Sequence, residues 1–185
     1  KRINDDFETE TLPSGRNGHT MVVLNNKIYI FGGYGLNSDG VLSRFNDFYE
    51  IDVTLYPPTS KRINDDFETE ILPSERHGHT MVVLNNKIYI FGGFGLKSDG
   101  QLGHLNDFYE IDIEQSTSTE LNITGTLPTK RHQHTMVVLN DKIYIFGGYG
   151  INSVGVNSWL NDFYEIDIEQ STSTELTITI TGTLP

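Results

Sequence analysis

The sequence predicts an all-β fold made of three copies of one four-stranded antiparallel sheet. The stretch HTMVVLNNKIYIFGG at 19–33 returns unchanged at 79–93, and it returns with a single substitution at 134–148. Within each copy, apolar runs are separated by pairs of Asn or Gly residues that favour turns. These pairs, together with β-branched runs, interrupt every window that is long enough to hold a helix.

The first half of each copy predicts a tight hairpin. In the first copy, Thr20–Leu24 is apolar on both faces after its Thr, and 28–31 is apolar throughout. Between them, Asn25 and Asn26 tolerate positive φ, which favours a two-residue turn. Gly32 and Gly33 then end the second strand, because residues without a Cβ permit a bend or a close backbone approach. The segment 34–45 is predicted to be a loop.

The second half of each copy predicts one buried strand and one edge strand. The third strand, 46–52, alternates Phe48 and Glu50 on one face with Tyr49 and Ile51 on the other. A more polar fourth strand is expected at 66–72, with equivalents at 119–126 and 174–183, because alternating Thr, Glu and aliphatic residues suit an outer edge. Inner strands that are apolar on both faces indicate a sheet packed between similar sheets, as in the blade of a β-propeller.

The ends of the chain leave the size of the ring open. The blades are predicted at 13–72, 73–127 and 128–185. Residues 1–10 are identical to 61–70, so 1–12 is expected to be the outer strand of a preceding blade. Three blades alone would need tighter curvature than the roughly four to eight blades of known propellers provide. Either further blades come from the same longer chain, or two copies join into one six-bladed ring.

The repeated residues resemble a known family. The pattern Arg-x-x-His, then Ile-Tyr-Ile-Phe-Gly-Gly, then Asn-Asp-x-Tyr-x-x-Asp resembles the kelch repeat of β-propellers, and it covers essentially the whole chain. Its repeated positions are Arg16, His19, Gly32 and Gly33, then Arg76, His79, Gly92 and Gly93, then Arg131, His134, Gly147 and Gly148. The family usually places Trp near the fourth strand, whereas the single Trp of this chain, Trp159, is expected in a loop.

Residues that are identical in all three copies are interpreted as structural, because a catalytic residue is needed once rather than three times. Each repeated His is expected to bond a neighbouring backbone group or an Asp of the same or the next blade. His79 in particular is predicted to be buried and hydrogen-bonded, without a metal. Each repeated Arg is expected to pair with the Asp of the Asn-Asp motif and so to join blade to blade.

The positions that differ between copies predict a binding surface. They concentrate in the triplet before the first strand and in the loop between strands two and three. A constant scaffold with differing loops is typical of a surface that holds a partner, although drift in exposed loops would give the same pattern. The predicted contact residues are Tyr34, Asn37, Arg44, His77, Phe94, Lys97, His104, His132, Tyr149, Asn152 and Trp159.

Charge and composition restrict the partner and the chemistry. The 13 Lys and Arg against 25 Asp and Glu give a formal net charge of −12. Such a surface repels phosphate backbones and anionic membranes, so we expect a protein partner with a basic surface rather than nucleic acid or a membrane. The chain has no Cys, which excludes disulfides and thiolate ligands. No apolar run has the length of a membrane span and no signal peptide is visible, and a cytoplasmic location is favoured.

No metal or cofactor is predicted. The segment NSDG at 37–40 lacks the further carboxylates of a calcium loop, and its third copy reads NSVG. His77, His104 and His132 are expected on loops at non-equivalent sites and show no ligand spacing for a metal.

The resemblance implies a non-catalytic protein-interaction scaffold, and two other functions stay open. One is an enzyme on the same fold, since kelch-type propellers include a copper oxidase, sugar-isomerising enzymes and specifier proteins. The copper oxidase of that family uses a Cys-modified Tyr, which a chain without Cys cannot form. The other is a purely structural role, in which near-identical blades tile a larger assembly.

Overall fold

In the computed structural model, residues 12–67 and 72–177 are described, and they form three successive blades built mainly of antiparallel β-strands. The strands of the first blade are β1 (Arg16–Asn17), β2 (Thr20–Leu24), β3 (Lys27–Leu36), β4 (Leu42–Asp52) and β5 (Thr59–Arg62). Those of the second are β6 (Arg76–His77), β7 (Thr80–Leu84), β8 (Lys87–Leu96), β9 (Leu102–Asp112) and β10 (Thr117–Glu120). Those of the third are β11 (Thr124–Gly125), β12 (Arg131–His132), β13 (Thr135–Leu139), β14 (Lys142–Phe146), β15 (Tyr149–Ile151), β16 (Asn157–Trp159), β17 (Phe163–Asp167) and β18 (Thr172–Glu175). β11 pairs with β18 in parallel, and β12 also pairs with β9 of the second blade.

The predicted two-residue hairpins are confirmed. Asn25 and Asn26 have φ values of 51° and 62°, and they connect β2 to β3 with Leu24 paired to Lys27. Their equivalents in the other blades have the same left-handed backbone. Asn tolerates this conformation because its short side chain can bond locally, so the turn follows from the residue type.

The segment 34–45, predicted to be a loop, is mostly strand. Gly32 and Gly33 have φ values of 63° and 108°, and the ladder shifts register between Phe31 and Gly33. The pairing then resumes and runs to the end of the hairpin at Leu36 and Leu42. The glycines bend the strand at a β-bulge instead of ending it, since a bulge inserts a residue without breaking the pair of strands.

The predicted position of the outer strand is wrong. In the first blade β5 pairs with β4 at Thr59–Arg62, and Asn64–Asp66, where the strand was expected to begin, is a turn of 3₁₀ helix. The Asn64 side chain accepts from the Phe48 amide and donates to the Asn46 carbonyl, each at 2.8 Å, and so carries the chain away from the edge. β10 and β18 likewise start earlier than predicted. Residues 1–11 of the expected extra strand, 68–71 of the expected outer strand of the first blade and 178–183 of the last one lie outside the described residues.

The core lies between blades. Each blade has a forward face, which points to the next blade along the chain, and a rear face, which points to the previous one. The first core joins the forward face of the first blade to the rear face of the second, through Leu24, Phe31, Phe48, Ile63, Phe67, Met81, Ile88, Ile90 and Ile111. The second core joins the second and third blades in the same way, through Leu84, Phe91, Phe108, Ile123, Met136, Ile143, Ile145 and Ile166.

Candidate binding face

The two segments that differ between copies lie side by side at one end of the blades. In the first blade, β1 pairs with the far half of β3, which places Asn17 beside Tyr34. The β3–β4 hairpin places Arg44 on the other side of Tyr34. The same register gives the rows His77–Phe94–His104 in the second blade and His132–Tyr149–Trp159 in the third. Each blade therefore contributes one row of three residues.

Side chains of adjacent rows contact one another across the blades. The ring centroids of Tyr34 and His77 lie 5.7 Å apart, and those of Phe94 and His132 lie 5.9 Å apart. His104 stacks on His132 with centroids 4.9 Å apart. We call this continuous surface the aromatic face, and it consists of Tyr34, Arg44, His77, Phe94, His104, His132, Tyr149 and Trp159.

The three histidines predicted at separate loop sites meet on this face, and the prediction that placed them apart is wrong. His77 and His132 occupy equivalent strand positions on β6 and β12, and their ring centroids are 6.3 Å apart. Strand pairing between distant segments brings them together, and a local pattern does not display such pairing. Among the described residues, no three His, Asp or Glu side chains are arranged to hold a metal ion.

A pair of imidazoles forms the centre of the face. His132 Nδ1 lies 3.0 Å from His104 Nδ1 and 3.1 Å from the Tyr149 carbonyl oxygen. Because a carbonyl only accepts, the hydrogen belongs on His132 Nδ1, and His104 Nδ1 is the second acceptor. Burial lowers the pKa of both histidines, so the neutral forms that this arrangement requires are favoured at neutral pH.

Arg44 is the cation within the face. Its guanidinium carbon lies 5.5 Å from the ring centre of Tyr34 and 5.1 Å from that of Phe94, so it bridges the first two blades by cation–π contacts. Its Nε atom is buried without a hydrogen-bond partner among the described residues. Across 12–67 and 72–177, no carboxylate lies within ion-pair distance of Arg44. The guanidinium thus contacts the face through its cation–π contacts and keeps a buried donor without a partner in the described residues.

Trp159 lies at the open end of the face. It is on the strand β16 rather than in a loop, and 78% of its surface is exposed. Its ring meets that of Tyr149 edge to face with centroids 5.0 Å apart. The indole therefore rests on its own blade but leaves most of its surface to solvent.

The remaining three predicted contact residues lie at the tips of the hairpins. The Asn37 side-chain oxygen accepts from the amides of Asp39 and Val41, at 3.0 and 2.9 Å, and Asn152 makes the equivalent bonds in the third blade. Lys97 instead pairs with Asp99 at 3.0 Å. These side chains are engaged within their own turns and stand outside the aromatic face.

The repeated Arg residues pair with the predicted Asp residues, but within a blade rather than between blades. Arg76 is fully buried, and it donates to both carboxylate oxygens of Asp107 at 2.6 and 2.7 Å and to the Gly92 carbonyl at 3.0 Å. Arg131 and Asp162 repeat this geometry, and Arg16 pairs with Asp47. The bidentate bonds fix the short strand that carries the first residue of each row, because a planar guanidinium matches a carboxylate in one orientation.

The repeated His residues join the blades through a partner that the sequence analysis missed. His79 is buried and hydrogen-bonded as predicted, but the partner is the Thr20 hydroxyl of the preceding blade, 2.6 Å from Nε2. His134 contacts Thr80 at the same distance. Burial lowers the pKa of His134 to about 3. A Thr follows the His in every copy, but which His it contacts depends on how the blades pack.

The two repeated glycines of each blade allow different close contacts. A Cβ on Gly92 would lie 2.9 Å from the Arg131 carbonyl oxygen of the next blade, whereas one on Gly93 would lie 3.0 Å from the His79 Cβ of its own blade. Both residues also have positive φ, which L side chains rarely adopt. Asn157, which the sequence analysis did not single out, supports the face by a hydrogen bond to His104.

Comparison with known proteins identifies the class. The model of the KLHDC2/KLHL20/DRC7 Kelch-repeats domain matches residues 57–185, and the Kelch motif model matches residues 15–61. The structure titled "Structure of YjhT" superposes with a TM-score of 0.66 at 18% identity, over 91% of this chain and 54% of that chain. The chain therefore belongs to the kelch-repeat family and is a kelch-type β-propeller segment.

Several relatives are much longer than this chain. Host cell factor 2 of Homo sapiens is 32% identical over 155 residues, which is 74% of this chain and 18% of that protein. The Rho GTPase-activating protein gacHH of Dictyostelium discoideum is 34% identical over 138 residues, which is 8% of its length. Kelch domain-containing protein 3 of Rattus norvegicus is 26% identical over 169 residues, which is 41% of its length. Within the described residues, no helix has the length and apolar character needed to cross a bilayer.

Proposed function

We propose that this chain is a non-catalytic protein-binding module whose partner contacts the aromatic face. The observation that carries the proposal is the convergence of the two variable segments. Residues that differ between copies come from separate parts of each repeat, yet strand register joins them into one surface across three blades. The residues shared by all copies lie beneath this surface and support it. Kelch repeats commonly serve as protein-interaction domains.

The chemistry of the face suits a protein surface. Aromatic side chains and Arg are the residues most enriched at the energetic centres of interfaces, and this face consists almost entirely of such groups and imidazoles. Arg44 and Trp159 occupy equivalent positions of the first and third blades. The partner should therefore offer apolar or aromatic groups to the rings and a hydrogen-bond acceptor to Arg44.

The imidazole pair fixes the centre of the face. His104 and His132 use their Nδ1 atoms for each other and for the Tyr149 carbonyl, so these rings are held in place within the surface. The formal charge of −12 favours a basic partner at long range, and such attraction is screened by salt.

A random peptide display library selected on the immobilised chain would test this proposal. The selected peptides should be basic and rich in aromatic residues, and their affinity should fall as salt rises. The double variant Arg44→Ala with Trp159→Ala should weaken their binding by about 2 kcal/mol, roughly 30-fold, which is the usual scale of a hot-spot loss.

The matched control is Leu55→Ala with Tyr56→Ala, two exposed residues at the opposite end of the first blade. This control should bind the selected peptides like the parent chain. If the control variant binds the selected peptides more weakly than the parent does, while the Arg44 and Trp159 variant binds them as well as the parent, the binding surface lies elsewhere.

A further inference from the structure

Within the described residues, two apolar blade faces are open although their equivalents between blades are buried. Phe31 and Phe91, on the forward faces of the first and second blades, are 0% and 2% exposed, whereas Phe146 on the third blade is 47% exposed. On the rear faces, Met81 and Met136 are each 8% exposed, whereas Met21 on the first blade is 59% exposed. The open forward face of the third blade and the open rear face of the first blade thus carry the residues of the two cores.

Among the residues that the structure describes, the polar contacts between blades also form a series with two open ends. The Gly78 amide donates to the Gly18 carbonyl at 2.8 Å, and the Gln133 amide donates to the Gly78 carbonyl at 2.7 Å. The Gly18 amide and the Gln133 carbonyl stand at the two ends of this series. The imidazole of His19 is exposed, whereas those of His79 and His134 are buried against the preceding blade.

We propose that a second copy of this chain closes the ring, with the forward face of each third blade packed on the rear face of the other copy's first blade. A second copy is the expected partner because the chain already forms this interface twice between its own blades. The free forward face and the free rear face carry the two sides of that same interface. Two copies are the number proposed, because this chain aligns with 54% of the YjhT chain and two copies together match the length of about one such propeller. The pair contains two head-to-tail contacts related by a two-fold axis.

The repeat specifies the new contacts. His79 lies against Phe31 and bonds Thr20, so His19 of the second copy lies against Phe146 and bonds Thr135. A Cβ on Gly32 or Gly92 would meet that histidine ring, but one on Gly147 would meet only the Leu160 carbonyl, which leaves the place for His19 open.

Pairing also extends the aromatic face. Arg44 contacts Phe94 of the next blade, and His104 contacts Tyr149 in the same way. By this rule Trp159 contacts Tyr34 of the second copy, and six rows form a closed ring. Since Trp159 is the single Trp of the chain, its fluorescence reports on this contact.

Analytical ultracentrifugation of the chain over a range of concentrations tests the proposal. The expected species has twice the 20.9 kDa mass of the chain. Its formation should coincide with a shift of Trp159 emission to shorter wavelength, because the indole loses contact with water. A chain that remains a single copy at all concentrations, or one that forms only larger species, would overturn the closed pair.

Two charge variants test the head-to-tail polarity. Leu139→Glu alters only the forward face and Val23→Glu only the rear face, and both side chains are exposed in the single chain, so folding should be unaffected. Each variant alone should pair about 100-fold more weakly or worse, because each contact then buries an unpaired charge. An equimolar mixture should form a one-to-one pair through the one contact that both variants leave intact.

The control is Val154→Glu, an exposed apolar residue at the tip of the third hairpin, which should pair like the parent. If either single variant still pairs fully while the other does not, like faces join and the head-to-tail arrangement is wrong. Two copies of charge −12 repel each other, so pairing should strengthen with salt. Capture of the selected peptides should instead weaken with salt. The two salt dependences therefore test this proposal and the proposed function separately.

Discussion

The interface between the second and third blades and the free forward face of the third blade contain the same residue types in the same strand positions. In the interface, Leu84 and Phe91 are buried against the next blade, whereas Leu139 and Phe146 on the free face are about half exposed. The backbone of the hairpin is the same in both places, with paired left-handed residues at the turn. The apolar pattern of the repeat therefore forms the sheet by itself, and burial depends on whether a neighbouring blade is present.

The same contrast applies to the repeated histidines. His134 is buried and bonds Thr80, whereas His19 at the open rear face is exposed. Burial is also the first cause that lowers the pKa of each, and it acts far more strongly on His134. Identical residues thus differ in pKa because of their neighbours. Equivalent repeat positions, one covered by a blade and one free, can therefore be compared directly. These comparisons are made in the Leu139→Glu background, in which the chain is expected to remain a single copy.

The largest difference is expected between Gly32→Ala and Gly147→Ala. Both residues have φ near +65°, so both variants incur about 1–2 kcal/mol of left-handed strain. Only on Gly32 does the new Cβ come within 2.8 Å of the Arg76 carbonyl of the next blade. Urea unfolding should show a loss of about 4 kcal/mol or more for Gly32→Ala and about 1–2 kcal/mol for Gly147→Ala. Equal losses would mean that close approach between blades is unimportant.

A smaller difference is expected between Phe91→Ala and Phe146→Ala. Phe91 is buried between blades, so its truncation should cost about 3–5 kcal/mol through lost burial and the cavity that remains. Phe146 is already 47% exposed and should cost about 1–2 kcal/mol by thermal or urea unfolding. In the paired form of the parent, the cost of Phe146→Ala should rise toward that of Phe91→Ala. A free face that is as sensitive as the core would contradict this comparison.

The smallest difference concerns the pH dependence of stability. The folded pKa of His134 is about 3 and its unfolded value is 6.5, so below pH 6.5 the unfolded chain binds a proton that the folded chain excludes. Stability is therefore complete above about pH 6.5 and falls by about 1.4 kcal/mol per pH unit as pH drops toward 3. His134→Gln should flatten the pH dependence of the free energy of unfolding, and His19→Gln should change it less. A steeper slope in His134→Gln would refute the assignment.

Much of the blade could be predicted because its signals are local. The Asn25–Asn26 turn depends on two adjacent residues that tolerate positive φ, and the alternation of Phe48 with Tyr49 depends on the two-residue period of a strand. The outer strand could not be placed this way. The sequence of 59–67 mixes polar residues with Ile63 and Phe67 without a regular alternation, and the bonds of Asn64 to the neighbouring strand decide where β5 ends.

The sequence by itself determined the repeat, the hairpin turns and the pairing of each repeated Arg with an Asp of the Asn-Asp motif, because these features depend on residue type and short-range order. It also identified the positions that vary. Only the tertiary structure decided that His77, His104 and His132 meet, that Thr20 is the partner of His79, and which apolar faces remain open. The physical reason is that such contacts join residues of different blades. Their geometry depends on strand register and on how blades pack, and no short stretch of sequence contains that information.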